Sequence, residues 1–147
     1  FHARNKFSTD IIWSNKLWTV TPPHDNFNIP LVHVVRNLYR EVYISSNKIS
    51  KRDKLGIYSE IERIILETFS LIIKAVYLSK SDKKPILEQT RVKIEIIKQL
   101  IRTAYEVKCL DERNYLRFAE MLQEISKMTN GWIKYLDFQY KTQNPPR

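Results

Sequence analysis

Apolar residues recur at three- and four-residue spacing in four segments of the chain, a pattern typical of amphipathic helices. Short polar stretches separate these segments. Long helices joined by short connections pack as antiparallel neighbours. The pattern therefore predicts an all-α fold, an up-down-up-down antiparallel four-helix bundle with a non-helical N-terminal extension. The predicted helices span about residues 31–47, 51–79, 82–108 and 112–137.

Few residues interrupt these helices, because the chain has two glycines and no proline between residues 31 and 84. Ser81 and Asp82 can cap the third helix, with Pro85 in its first turn. Asp111 is the predicted N-cap of the fourth helix. A chain with so few turn-forming residues disfavours a β-fold.

The second helix carries more apolar residues than one buried face requires. Its predicted inner face is Ile57, Ile61, Ile64, Ile65, Thr68, Ile72, Ala75 and Val76. Four further apolar residues fall outside this face: Leu66, Phe69, Ile73 and Tyr77. A four-helix bundle covers its own core, and extra apolar surface usually marks an interface. The second face therefore predicts self-association.

The predicted domain organisation has three parts: an N-terminal extension (1–30), the bundle (31–137) and a polar C-terminal tail (138–147). Trp13 and Trp18 flank a short polar stretch, which is compatible with a small hairpin. A disordered arm that orders against a partner explains the extension equally well, and so does a segment foreign to the natural protein.

The net charge of +9 and a pI of about 9.7 indicate either a polyanion partner or simply a soluble basic protein. Cys109 is the only cysteine, so no internal disulfide can form, and we expect a reducing, cytoplasmic location. No stretch approaches the ~20 apolar residues of a membrane helix, and no signal-peptide pattern is present. We therefore expect no membrane association.

Sequence motifs for catalysis or cofactor binding are absent. The three histidines and one cysteine have no zinc-ligand spacing, and no glycine-rich loop could hold a nucleotide phosphate. No glutamate has a histidine three residues later, so the di-iron signature of bundle proteins is missing. We expect a protein that is not an enzyme and that uses no cofactor or metal.

Charges of both signs are interleaved on the helix faces. On the third helix they follow one another as Lys84, Glu88, Arg91, Glu95, Lys98 and Arg102. On the fourth helix Arg117, Glu120, Glu124 and Lys127 do the same. Such spacing favours solvated ion pairs over a binding groove.

The helix ends differ from the faces, because cations cluster where a helix begins. Exposed cations at a helix N-terminus oppose the macrodipole by roughly 0.3–1 kcal/mol each. In an up-down bundle the cluster at the second helix shares its end with the turn between helices three and four, and the cluster at the third helix lies nearer Lys134 and Lys141. Both ends are candidate sites for RNA or DNA phosphates. The predicted nucleic-acid-binding residues are Lys48, Lys51, Arg52, Lys54, Lys80, Lys83, Lys84, Lys108 and Arg113.

Several short motifs resemble a known family. Leu-Ile-Arg-Thr-Ala-Tyr-Glu (100–106), Asp111 and Gly-Trp-Ile-Lys (131–134) are similar to the Avd-like four-helix-bundle family, and Lys-Leu-Gly (54–56) fits the same pattern. This family contains the accessory variability determinants of diversity-generating retroelements. Its relatives include bundle proteins encoded in intervening sequences of 23S ribosomal RNA genes. The resemblance covers about residues 31–136.

The resemblance implies a homopentamer with a basic surface that binds a reverse transcriptase and its template RNA. It also implies partner or oligomer interfaces at the matching positions Arg102, Gly131, Trp132 and Lys134. An ion pair with Glu106 is the alternative for Arg102. For Gly131, a helix glycine, we expect close helix approach beneath Trp132, either between subunits or within one core.

Three functions remain open at this stage. The first is the retroelement accessory factor, which supports mutagenic cDNA synthesis without catalysing it. The second keeps the fold in an rRNA-associated, intervening-sequence-type bundle without a polymerase partner. The third is a protein-only adaptor whose basic faces contact acidic protein surfaces.

Overall fold

A computed structural model describes residues 29–146, so the predictions for Trp13 and Trp18 lie outside the described range. Every regular element within that range is helical, and no strand occurs there. The helices pack together, which confirms the all-α prediction and the four long helices. These helices are α1 (Pro30–Ser45), α2 (Ser59–Tyr77), α3 (Lys80–Glu106) and α4 (Glu112–Gln143).

Three short helical pieces connect α1 to α2. A 3₁₀ turn, Ser46–Lys48, ends α1, and the chain becomes helical again at Lys51–Asp53. A π-helical turn, Lys54–Tyr58, then leads into α2, and Gly56 departs from helical geometry within it with φ −94° and ψ −112°. The wider π turn changes which residues face the core. As a result Tyr58 is fully buried, whereas Ile57, which we predicted in the core, is half-buried.

Two of the helix starts have the side-chain caps that their sequences favour. The Ser50 hydroxyl accepts a hydrogen bond from the Asp53 N–H at 3.3 Å. The Asp111 carboxylate accepts one from the Asn114 N–H at 2.8 Å, which confirms the predicted N-cap of α4. This helix continues through residues 138–143, which the sequence analysis assigned to the tail.

The start of α3 was predicted too late in the chain. Ser79 occupies the N-cap position, rather than Ser81 or Asp82. Its backbone carbonyl accepts the Asp82 N–H at 3.0 Å, and its hydroxyl donates to the Asp82 carboxylate at 2.7 Å. Because the helix begins one residue after Ser79, Pro85 lies inside it and not in its first turn.

One apolar core receives side chains from all four helices. Val42 of α1, Ile101 of α3 and Phe118 of α4 surround Tyr58, just before α2. The closest helix pairs are α2 with α3 and α3 with α4. Fully burying side chains of this size stabilises the fold by about 1.5–3 kcal/mol each. The chain divides into two units after Pro30, and the helical unit begins at Leu31.

Three threonines lie within this core, and the hydroxyl of each forms a hydrogen bond. Thr68, Thr90 and Thr129 are buried on α2, α3 and α4. Each hydroxyl donates to the backbone carbonyl four residues earlier, at 2.7 to 2.9 Å. These bonds satisfy polar groups that would otherwise destabilise an apolar interior.

Candidate nucleic-acid interface

Four cations surround the start of the helical segment that leads into α2. Lys48 lies in the turn that ends α1, Lys51 and Arg52 open the next helical turn, and Lys54 follows them. All four side chains are exposed. None of them forms an ion pair with any residue between 29 and 146. Lys51 and Arg52, at the start of this segment, oppose its macrodipole, whereas Lys48 lies at the end of α1, where a cation is favourable. Burial raises the pKa of Glu62, and the charge of Lys54 partly offsets that rise.

The turn between α3 and α4 adds two more cations. Lys108 follows α3 with φ 60°, in the left-handed region, and the Cys109 N–H donates to the Ala104 carbonyl at 2.8 Å. Lys108 and Lys48 line the same open cavity of about 350 Å³. Arg113 is exposed in the first turn of α4. We call the surface formed by the following residues the cationic end: Lys48, Lys51, Arg52, Lys54, Lys108 and Arg113.

This cavity and its aromatic wall were not among the features predicted from the sequence. The Tyr105 ring stacks on the Tyr115 ring with centroids 4.4 Å apart and planes inclined by 10°, and Tyr105 lines the cavity. Asp111 and Glu112 also line it. The only signal in the sequence was a tyrosine on either side of the turn, and nothing local required their rings to stack.

Six cations on the helix faces are engaged with acids, as the interleaved pattern predicted for α3. Arg102 contacts Glu106 at 2.9 Å, and Lys98 contacts Glu95 at 2.8 Å. Other face pairs join different helices or adjacent turns: Arg63 with Glu60 and Glu67, Lys93 with Glu67, Arg91 with Glu88 and Arg117 with Glu41. Hydrogen bonds from Lys93 and Arg63 lower the pKa of Glu67 and of Glu60, respectively. Because these six cations have acid partners, they are weak candidates for phosphate contacts.

The pairing predicted along α4 did not form, because Arg117 pairs with Glu41 of α1 and Lys127 has no ion pair among residues 29–146. Arg36, Arg40 and Lys74 are exposed and likewise form no ion pair there.

The cluster at the start of α3 is used differently from the cationic end. The Lys83 ammonium donates to the carbonyls of Ala75 and Val76 at 2.7 and 2.9 Å, which closes the last turn of α2. It also lies 5.7 Å from the centroid of the Trp132 ring. Burial lowers the pKa of Lys83. This lysine therefore acts as a structural group of the fold.

Lys84 is engaged as well, because its ammonium lies 2.7 Å from the Asp137 carboxylate. That hydrogen bond raises the pKa of Lys84. Lys80, Lys134 and Lys141 are exposed, and among the described residues they have no ion pair. We call the following set the Trp132 end: Lys80, Lys83, Lys84, Trp132, Lys134 and Asp137.

Of the predicted interface residues, Arg102 has the ion pair with Glu106 that the sequence offered as its alternative role. Trp132 is half-buried against the core residues Ala75 and Leu87. The prediction of close helix approach at Gly131 is wrong within one chain, because a methyl group there would meet nothing within 4 Å. A contact between subunits at Gly131 stays a prediction.

Reactive chemistry has few candidates among the described residues. Cys109 is buried, and burial raises the pKa of its thiol, so it stays protonated and unreactive near neutral pH. No group of three or more histidine, cysteine, aspartate or glutamate side chains in the described range could hold a metal ion. The feature that the described chain offers is therefore an exposed cluster of positive charge beside a cavity.

Comparison with known proteins gives no relative: no family model, no curated protein and no solved structure matches the chain. Among the helices of residues 29–146, none combines the length and apolar character needed to cross a bilayer.

Proposed function

We propose that the chain is a non-catalytic accessory protein of a diversity-generating retroelement. It binds template RNA through the cationic end and supports mutagenic cDNA synthesis by the reverse transcriptase. The observation that carries the RNA-binding part is a concentration of unpaired charge: the six cations of the cationic end form no ion pair within the described residues. On the helix faces, by contrast, Arg91, Lys98 and Arg102 are engaged with acids. The retroelement and its reverse transcriptase are inferred from the resemblance of the sequence motifs to the Avd-like family.

We also propose the up-down-up-down antiparallel arrangement. Three contacts support it. Lys83, at the start of α3, bonds the end of α2. Lys84, beside it, pairs with Asp137 near the end of α4. Tyr105, at the end of α3, stacks on Tyr115 near the start of α4. In this arrangement the cationic end and the Trp132 end lie at opposite ends of α3, whose 27 residues span about 40 Å.

The homopentamer is part of the same proposal. Leu66 and Tyr77 of the predicted second apolar face are exposed, and Val92 and Ile96 are exposed on α3. Apolar surface left exposed on a folded chain often marks an interface. A ring of five copies would present five cationic ends, so the assembly would bind RNA more tightly than one subunit.

The experiment that tests the RNA site is a salt titration of RNA binding. Changing Lys51, Arg52 and Lys54 together to glutamine should weaken binding of single-stranded RNA. It should also flatten the plot of log affinity against log salt by up to about 2 units, since each phosphate contact contributes ~0.7. Circular dichroism and light scattering should show unchanged helicity and assembly.

The matched control removes the same amount of charge from paired positions. Arg63, Arg91 and Lys98 changed together to glutamine should change the slope much less, because these cations are engaged with acids. If this control loses binding and the cluster variant does not, the placement of the site is wrong. If the wild-type protein binds no RNA, the protein-only adaptor is favoured. A reverse-transcriptase gene and template repeat beside this gene would separate the retroelement from the rRNA-associated alternative.

A further inference from the structure

The cavity at the cationic end has the size of a subsite for one small planar group. Its volume of about 350 Å³ lies at the lower end of the range for ligand pockets, roughly 300–1,000 Å³. A helical RNA could not enter such a space, whereas one unpaired base could. The residues that line the cavity therefore determine what it can bind.

One wall includes the ring of Tyr105, which belongs to an aromatic stack. Tyr115 covers one face of the Tyr105 ring, yet Tyr105 remains 37% exposed and lines the cavity. A planar ring placed against the face of Tyr105 opposite Tyr115 would extend the stack by one member. Nucleobases stack on tyrosine in this way in proteins that bind single strands, and they do so with little regard to sequence.

The charges around the cavity separate into two kinds. Lys48 and Lys108 are cations without an ion pair among residues 29–146. Asp111 and Glu112 are carboxylates, which repel phosphate but accept hydrogen bonds from the exocyclic amino groups of bases. These four side chains therefore suit a nucleotide better than an isolated phosphate. The lysines can contact the phosphates, and the carboxylates can accept hydrogen bonds from an amino group of the base.

The backbone at Lys108 adds an independent observation. Its φ of 60° lies in the left-handed region, which glycine adopts freely at the end of a helix. A lysine there is less favourable for stability than a glycine would be. The residue at this position is instead a lysine that lines the cavity, which a binding role would explain.

We propose that this cavity is a nucleobase subsite for single-stranded RNA. One unpaired base stacks on Tyr105 with its amino edge toward Asp111 and Glu112, and the adjacent phosphates contact Lys48 and Lys108. This inference rests on the proposed RNA-binding function. It deepens that function by naming the substrate class as RNA with unstacked bases.

The test compares three labelled probes of equal length by fluorescence anisotropy: a single-stranded oligoribonucleotide, the same strand with its bases absent, and its duplex. The wild type should bind the intact single strand most tightly. Tyr105→Leu keeps an apolar side chain beside Tyr115 and should weaken binding of the intact strand by roughly 5- to 100-fold, the effect of losing one base stack. Its binding of the base-free strand should not change. Tyr140→Leu, at a side chain 69% exposed near the end of α4, is the control and should affect neither probe.

Lys108→Gly keeps the proposal testable if Tyr105→Leu fails to fold. This variant relieves the left-handed backbone, so its thermal midpoint should rise while its affinity falls and its salt slope drops by about 0.7, one phosphate contact. Unchanged affinity in Lys108→Gly, or equal wild-type binding of the intact and base-free strands, would overturn the subsite. The RNA-binding function would still stand in that case, provided that the Lys51, Arg52 and Lys54 variant loses its salt-dependent binding. A wild type that binds no probe would overturn both.

Discussion

The two groups of cations at the ends of α3 have similar composition and different uses. At the Trp132 end, Lys83 caps the carbonyls of α2 and Lys84 pairs with Asp137. At the cationic end, Lys51 and Arg52 have no ion pair within the described chain. The presence of clustered positive charge alone does not distinguish the two ends. The difference lies in whether the fold itself uses each charge: two of the four cations at the Trp132 end have a partner, whereas none of the six at the cationic end forms an ion pair among the described residues. This difference favours the cationic end for the proposed RNA binding.

The helix dipole has opposite effects at Lys83 and at Lys51. Lys83 places its ammonium at the C-terminus of α2, where the partial charge is negative and a cation is favourable. Lys51 stands at the N-terminus of the helical segment that leads into α2, where a cation is unfavourable. Lys83 therefore stabilises the end of α2, whereas Lys51 destabilises the start of the segment that leads into it. Destabilising charges kept on a surface are reasonable candidates for binding.

The largest expected effect is a difference in the free energy of unfolding between variants of Lys83 and of Lys51. Lys83→Met removes two charge-assisted hydrogen bonds and leaves the last carbonyls of α2 with weaker partners, so unfolding should become easier by about 1–3 kcal/mol. Lys51→Met should be neutral or stabilising by about 0.3–1 kcal/mol, because it removes a cation from a helix start. Urea denaturation of both variants measures the difference. Equal effects would remove the basis for treating the two ends differently.

Sequence patterns were sufficient for the features that depend on local chemistry. The four helices follow from three- and four-residue apolar spacing, and the cap at Asp111 follows from a side chain that bonds three residues ahead. The ion pairs Lys98–Glu95 and Arg102–Glu106 follow from spacing along one helix. In each case both partners lie within four residues of each other.

Features that depend on distant residues were not predicted. Lys83 was assigned to nucleic-acid binding, because its spacing gives no sign of the carbonyls at Ala75 and Val76. Tyr58 was missed as a core residue, because regular helical spacing does not anticipate the π turn that brings it inward. The cavity at the cationic end depends on a turn that brings Tyr105 onto Tyr115. Local periodicity carries no information about such contacts.

An intermediate effect is expected from Gly131 beside the Trp132 end. It is exposed inside α4, and a methyl group there has open space in the single chain. Gly131→Ala should therefore stabilise the helix by about 1 kcal/mol. If Gly131 packs closely against another subunit in the assembly, the same change should reduce association. Thermal denaturation together with light scattering separates the two effects, and a more stable variant with unchanged assembly would place the subunit interface elsewhere.

The smallest expected effect is a difference between Tyr58 and Lys83 in how each changes the stability of the fold as pH rises in alkaline solution. Burial raises the pKa of Tyr58, near the cationic end, above its ordinary 10.0. The native phenol therefore keeps its proton where the unfolded chain has lost it, so this group's contribution to stability falls as pH rises above about 10. Burial lowers the pKa of Lys83 below 10.5. The native ammonium loses its proton first, so the contribution of Lys83 to stability rises as pH increases toward that value.

Other groups titrate in the same pH range. Two single variants isolate the effects of Tyr58 and Lys83 on how stability depends on pH. Tyr58→Phe removes the hydroxyl that is bonded to Ser45 and should lower stability at neutral pH by about 0.5–1.5 kcal/mol. Its deficit relative to wild type should shrink as pH rises past 10.0, because only the wild type must keep a buried phenol protonated. The deficit of Lys83→Met should instead grow toward pH 10.5, since wild type alone gains from deprotonation. Urea denaturation at a series of pH values measures both curves, and stability differences that stay constant across the range would contradict the assignment of either group.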